Sequence, residues 1–301
     1  MNIWSDLYSN DLSLHATSPD SIGTIWFEDS DAESKVLSYL ESLTTAASSS
    51  SSSSPSSTSS STTESRRPRL DKSTTSFLDL GTGNGHMLIQ LREEGGFSGV
   101  MVGIDYAAEG VELARRIAAQ KGMDGDVRFE SWDIMAAPDI SSARINGGGH
   151  GRPDDGAALE PAAKAIGGGG GGGAVGELPD WVPSGQRENG TGFDVLLDKG
   201  TFDAISLSGD TDAHGRRLCE GYAKKVKCLM RKGGILIVTS CNWTEGELKR
   251  WFEESETVDI TSHEEQPSQL VMFGRIGYRQ FGFGGQVGQT VSSVVFRRED
   301  R

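Results

Sequence analysis

Cysteine is scarce in this chain. Its 301 residues include three, Cys219, Cys228 and Cys241, an odd number with no CxxC pair. That usage excludes a disulfide framework and a cysteine-built zinc site, and it suits a reducing compartment. No metal is expected. Long apolar runs are also missing. None approaches the roughly 20 residues that cross a bilayer, and the N-terminus lacks the charged-then-apolar pattern of a secretory signal. The expectation is a cytoplasmic chain with no membrane partner. Positive charge is in deficit, with 29 Lys+Arg against 43 Asp+Glu and a net charge of −14. Such a balance argues against nucleic acid and favours a basic substrate or a basic protein. The deficit is deepest in residues 1–41, where eight acids face Lys35 alone. A solvated acidic surface that keeps the protein soluble would explain it equally well.

Two stretches lack the apolar content to pack. Residues 44–72 hold a Ser/Thr tract with seven consecutive serines at 48–54. Residues 137–192 are rich in Gly, Pro and Ala, with seven glycines at 167–173. Both are read as disordered insertions, because ordering them would cost more entropy than their burial returns. The remaining roughly 220 residues suit one α/β domain spanning the chain.

What is present alternates between strand and helix periodicity. Ser30-x-x-Glu33 reads as a capping box opening a helix with Val36, Leu37, Leu40 and Leu43 on one face. Strands are expected at 76–80, 99–104, 126–130, 193–197 and 235–240. Helices are expected at about 85–94, 108–121 and 215–231, the last ended by Gly233-Gly234. Thr244-x-x-Glu247 caps a further helix, and the tail offers two more strands, the clearer at 290–297. This order predicts an open, mostly parallel sheet with helices on both faces, a Rossmann-like α/β fold. Ligands in such sheets bind beyond the strands' C-terminal ends, where Asp79, Asp105, Asp133, Asp198 and Asn242 all fall.

The first strand runs into Gly81-x-Gly83-x-Gly85, a turn that exposes backbone N–H groups at a helix start. Asp79, two residues before it, would repel a dinucleotide's pyrophosphate but would attract the ammonium of S-adenosylmethionine. Asp105, ending the second strand, can take ribose hydroxyls, with Tyr106 beside it. Asp133 can accept from the adenine amino group, with Trp132 or Ile134 framing the ring. The predicted cofactor-binding set is therefore Asp79, Gly81, Gly83, Gly85, Asp105, Tyr106, Trp132 and Asp133. Asp79 could instead fix the loop, and Trp132 could simply pack.

Several separate motifs then carry a resemblance. They are Trp4-x-x-x-Tyr8-x-x-Asp11-Leu12, Trp26-Phe27-Glu28-Asp29, Leu78–Gly85 with Gly103-Ile-Asp-Tyr106, Asp198–Leu207, Thr239-Ser-Cys-Asn-Trp-Thr244 with Glu247-Leu248, and Phe281-Gly-Phe-Gly-Gly285. The glycine loop is common to many methyltransferases; the Asp-Lys-Gly-Thr-Phe-Asp and Ser-Cys-Asn-Trp-Thr segments are much more specific. In these motifs the chain resembles the elongation factor 1-alpha lysine methyltransferase family. The resemblance implies a seven-stranded class I methyltransferase sheet and methylation of one lysine on translation elongation factor 1-alpha, with a looser link to intracellular transport. Asp198 is expected to orient the acceptor amine as the catalytic residue, or else to tie a backbone turn. Trp26, Phe27, Lys199, Asn242 and Trp243 are expected on the substrate side. A small-molecule methyltransferase and a non-catalytic S-adenosylmethionine-binding module are the alternatives. A monomer is expected.

Overall fold

The computed structural model describes residues 3–45, 68–137, 178–184, 190–254, 268–283 and 286–300. Seven strands form one sheet: β1 (Phe77–Leu80), β2 (Met101–Asp105), β3 (Arg128–Ser131), β4 (Phe193–Lys199), β5 (Met230–Ser240), β6 (Ser268–Ile276) and β9 (Ser292–Asp300). Their spatial order is β3-β2-β1-β4-β5-β9-β6. The first five pair in parallel, whereas β9 runs antiparallel between β5 and β6. Strand order reverses at the β1/β4 boundary, the position at which open α/β sheets bind ligands. The Rossmann-like fold expected from the sequence is present. A small hairpin, β7 (Phe281–Phe283) with β8 (Gln286–Gly288), stands apart from the sheet. The tail thus forms four strands, not two.

Period-2 alternation splits the core in two. Phe77, Val195, Leu197, Ile235 and Ile237 face one cluster, shared with α2 (Ala32–Thr45), α3 (His86–Glu93) and α4 (Ala108–Gln120). Leu78, Leu80, Leu196, Leu236 and Val238 face the other, shared with α5 (Thr201–Leu207) and α6 (Cys219–Leu229). Neighbouring residues of one strand therefore bury on opposite faces, as a pleated backbone requires.

At the foot of the sheet, away from the ligand end, one carboxylate joins three strands. Asp194 in β4 accepts from both the amide (2.8 Å) and the hydroxyl (2.7 Å) of Ser76, just before β1. Its other oxygen pairs with Arg231 in β5.

Three local expectations change. Helix α1 (Ile3–Thr17) precedes everything foreseen and lies along α4. Ser30 does not open a capping box: Ser30 ends a short turn, Asp31 takes a left-handed φ of 51°, and the Glu33 side chain points elsewhere. Gly233-Gly234 does not end α6, which stops at Leu229. The pair makes a bulge inside β5, where Met230 pairs with Phe193 and Ile235 with Val195. The Thr244–Glu247 capping box does form and opens α7 (Glu245–Lys249).

The two insertions lie largely outside the described residues, but their edges belong to the fold. Leu70 is buried in the first core cluster. Trp181 and Val182 are buried in the second, where Trp181 meets Trp132 at 5.4 Å between ring centroids and Phe193 at 6.2 Å.

Candidate active site

A cavity of about 240 Å³ opens at the C-terminal ends of β1 to β5. Its floor is the loop from β1 to α3. Gly81, Gly83 and Gly85 all have positive φ, 66°, 54° and 74°, which glycine alone adopts without strain. Space is equally tight: a Cβ on Gly83 would strike the Tyr8 hydroxyl, and one on Gly85 would sit 2.6 Å from the Phe129 ring. The loop is pinned from two sides. Asp105 accepts from the Gly83 amide (2.9 Å) and the Ala107 amide (2.9 Å). Asn84 donates to the carbonyls of Ile22 (2.8 Å) and Thr24 (3.3 Å), which fastens the N-terminal segment over the loop.

Ten of the predicted residues line this cavity: Gly81, Gly83, Asp105, Tyr106, Trp132 and Asp133 on one side, and Trp26, Phe27, Lys199 and Asn242 on the other. Four do not. Gly85 starts α3 behind the loop. Asp79 is buried and accepts from the Thr82 hydroxyl at 2.7 Å, the loop-fixing role. Trp243 packs against Phe202 and Trp251 and donates to the Ser206 hydroxyl (3.0 Å). Asp198 is 1% exposed. Its carboxylate accepts from the amides of Thr201 (3.0 Å) and Phe202 (3.1 Å) and from the Tyr222 hydroxyl (2.6 Å). The oxygens tie the turn from β4 into α5 instead of facing the cavity.

The wall also contains residues not foreseen as functional. Trp4 and Tyr8 come from α1 at helical i, i+4 spacing, and Trp4 meets Trp26 edge-on at 5.2 Å. Asp203 and Cys241 come from the ends of β4–α5 and β5. Glu33 stands just behind the wall. Its carboxylate bonds His86 Nδ1 (2.5 Å) and pairs with Lys199 Nζ (3.4 Å). Burial opposes its charge, but the His86 bond and Lys199 outweigh it and hold the carboxyl below its ordinary range.

Comparison with known proteins bears directly on this geometry. A family model described as a methyltransferase domain matches residues 71–145, the stretch that carries the glycine loop and Asp105. Protein-lysine N-methyltransferase EFM4 of Saccharomyces cerevisiae is 30% identical over 99% of this chain and 93% of its own length. The chain belongs to this protein-lysine N-methyltransferase family. The family's Schizosaccharomyces pombe efm4 is 27% identical over 98% of this chain and 91% of that protein. EEF1A lysine methyltransferase 2 of Danio rerio is 24% identical over 99% and 86%. The protein is an S-adenosylmethionine-dependent protein-lysine methyltransferase.

The residues fit that methyl donor. Among the described residues lining the cavity, Asp105, Asp133 and Asp203 are acids, and Lys199 is the cation, already paired with Glu33. A doubly charged pyrophosphate would be repelled here, whereas a sulfonium and an ammonium are attracted. Each carboxylate oxygen has two lone pairs, so Asp105 can hold a hydroxyl while keeping its backbone donors. Ile104, Trp132 and Ile134 give the cavity apolar surface against which a purine could pack.

Burial first, then the neighbouring acids, pushes Asp79 up to about 7 despite the Thr82 bond and the Lys199 charge. Burial likewise lifts Asp198 to about 7 against its hydrogen bonds from Tyr222 and Phe202. The unfolded chain releases these protons near pH 4, and the folded chain keeps them to about pH 7. Folding therefore takes up protons across that window, and stability falls as pH rises through it. Thermal melts of the unliganded protein should give a higher midpoint at pH 5 than at pH 8, with a shallower slope in Asp198→Asn. A midpoint that climbs steadily from pH 5 to pH 8 would contradict the assignment.

Proposed function

We propose that this enzyme methylates a lysine side chain of elongation factor 1-alpha, and that it does so as a single copy in the cytoplasm. The observation that carries the reading is similarity over 99% of the chain to a relative named for that substrate, EEF1A lysine methyltransferase 2 of Danio rerio. Among the described residues no helix is long and apolar enough to cross a membrane.

In this reading Asp105 takes the ribose hydroxyls, with Tyr106 beside it, and Asp133, already capping its own turn through the Met135 amide (2.8 Å), accepts from the adenine. Trp132 stacks on the ring and is held from behind by Trp181. Gly81 and Gly83 let the backbone approach, and Asp79 and Gly85 shape the loop from below. S-adenosylmethionine, when bound, supplies a methyl group on a sulfonium. The acceptor amine enters between Trp26, Phe27, Lys199 and Asn242. Trp243 backs that wall, and Asp198 holds its turn as a positioning residue.

A lysine amine is ordinarily protonated, with a pKa near 10.4, so presenting it neutral near pH 7 costs roughly 4 kcal/mol. A nearby sulfonium and desolvation between Trp26 and Phe27 both favour loss of that proton. The main contribution left to the protein is alignment. The test is direct. Purified protein, labelled cofactor and purified elongation factor 1-alpha should give label on a single lysine-containing tryptic peptide. Label on many peptides, or on none while the cofactor binds, would overturn the substrate assignment.

A further inference from the structure

Among the described residues, Asp203 is the acid that stands on the acceptor side of the cavity. It lies in the first turn of α5, is 5% exposed, and lines the cavity together with Lys199, Gly200, Cys241 and Asn242. The other two acids lining the cavity among the described residues, Asp105 at the end of β2 and Asp133 just after β3, stand on the nucleoside side. Asp198, five residues before Asp203, is shut inside the β4–α5 turn with its oxygens occupied.

The orientation of Asp203 is fixed from the end of β5. Oδ1 accepts from the Ser240 hydroxyl (2.5 Å), and Oδ2 accepts from the Cys241 amide (3.0 Å), with the Cys241 thiol at 3.6 Å. These donors lock the carboxylate plane between the ends of two strands. They leave lone pairs uncommitted, since each oxygen has two. The surroundings are anionic: the charges of Asp203 and Asp29 both reach Cys241, whose thiol is pushed up by burial first and then by them. A cation entering past Trp26 and Phe27 meets this carboxylate in a partly desolvated wall, where a charge-assisted hydrogen bond is strongest.

We infer that Asp203 is the catalytic residue that receives the acceptor lysine, first pairing with its ammonium and then aiming the neutral amine. This rests on the protein-lysine reading above and deepens it. The lysine loses one proton to water while its nitrogen stays hydrogen-bonded to Asp203. The nitrogen lone pair then forms the new N–C bond as the S–C bond breaks and its electrons return to sulfur. The products are a methylammonium and a neutral thioether. Asp203 donates no electrons and keeps no proton. Its work is to hold the nitrogen on the line of attack, a placement whose loss costs about a hundredfold in rate.

The test uses the full chain, S-adenosylhomocysteine and a blocked lysine analogue, Nα-acetyl-lysine methylamide. Asp203→Asn should bind S-adenosylhomocysteine within about twofold of wild type by calorimetry. It should lose binding of the analogue and lower kcat/KM on elongation factor 1-alpha roughly a hundredfold. An Asp203→Asn protein that methylates at the wild-type rate overturns the assignment and leaves the substrate reading intact. If wild type labels no elongation factor yet binds the analogue through Asp203, the substrate reading fails and the assignment stands. Because Asp203 also anchors Ser240 and Cys241, a mutation-free measurement accompanies these. Carbodiimide coupling of the analogue to the wild-type protein should place the adduct on the Asp203 peptide, and an adduct elsewhere, or none there, overturns the proposal.

Discussion

Asp105→Ala should bind S-adenosylmethionine about a hundredfold more weakly than wild type. Two separate losses add. The substitution removes the acceptor proposed for the ribose hydroxyls, and hydrogen bonds to a charged group contribute about 1.5–3 kcal/mol each. It also frees the amides of Gly83 and Ala107, which Asp105 holds at 2.9 Å each. The glycine loop then loses its tie to the end of β2, and part of the binding energy must go to re-forming it. Calorimetry with the cofactor, and with S-adenosylhomocysteine as a control, separates affinity from turnover. Asp105→Asn should fall between wild type and Asp105→Ala, near tenfold, because one oxygen remains for the Gly83 amide while the introduced NH₂ group meets the Ala107 amide donor against donor. Unchanged affinity in Asp105→Ala would sink the ribose assignment.

Asp198→Ala should be chiefly a stability variant. Burial leaves the Tyr222 hydroxyl and the Thr201 and Phe202 amides with no acceptor once the carboxylate is gone. Stranding buried donors costs about 1–3 kcal/mol apiece, so a loss of roughly 3 kcal/mol or more is expected. For a domain of this size each kcal/mol moves the thermal midpoint by about 2–4 °C, which gives a drop of about 6–12 °C. Activity should fall with it, because the same turn carries Lys199 on one side and Asp203 on the other. Asp198→Asn discriminates between the roles. Its carbonyl can still accept from the two amides, and its NH₂ can donate to Tyr222, so both fold and activity should be largely retained. An Ala variant that melts within about 2 °C of wild type, yet transfers no methyl groups, would return Asp198 to the chemistry itself.

The sequence made some parts of this protein legible and hid others for physical reasons. The glycine loop and Asp105 could be read because their signals are local: a strand, a turn that needs positive φ, and an acid at the next strand's end. The sheet followed from alternation, since Phe77 and Leu78 must bury on opposite faces. The choice between Asp198 and Asp203 could not be read. It depends on how far the chain rotates through Gly200, with φ of 84°, as a period-2 strand passes into a helix. Glu33 looked like a capping residue because its spacing from Ser30 is right. The left-handed turn at Asp31 instead directs it to His86 and Lys199. Trp181 and Val182 were hidden by their setting, two large side chains beside a glycine tract whose average composition masked them. The partnership of Trp4 with Trp26 needed a hairpin of chain that periodicity does not encode.

The clamp made by Asp194, Ser76 and Arg231 has a consequence for redesign. It fastens three parallel strands at the end remote from the cavity, so cohesion and chemistry occupy opposite poles of the sheet. Exchanges at Trp26, Phe27 and Asn242 in the cavity wall should then leave the anchorage beneath them intact. Directed evolution of specificity should find its tolerant positions at the upper pole, and its lethal ones at the lower.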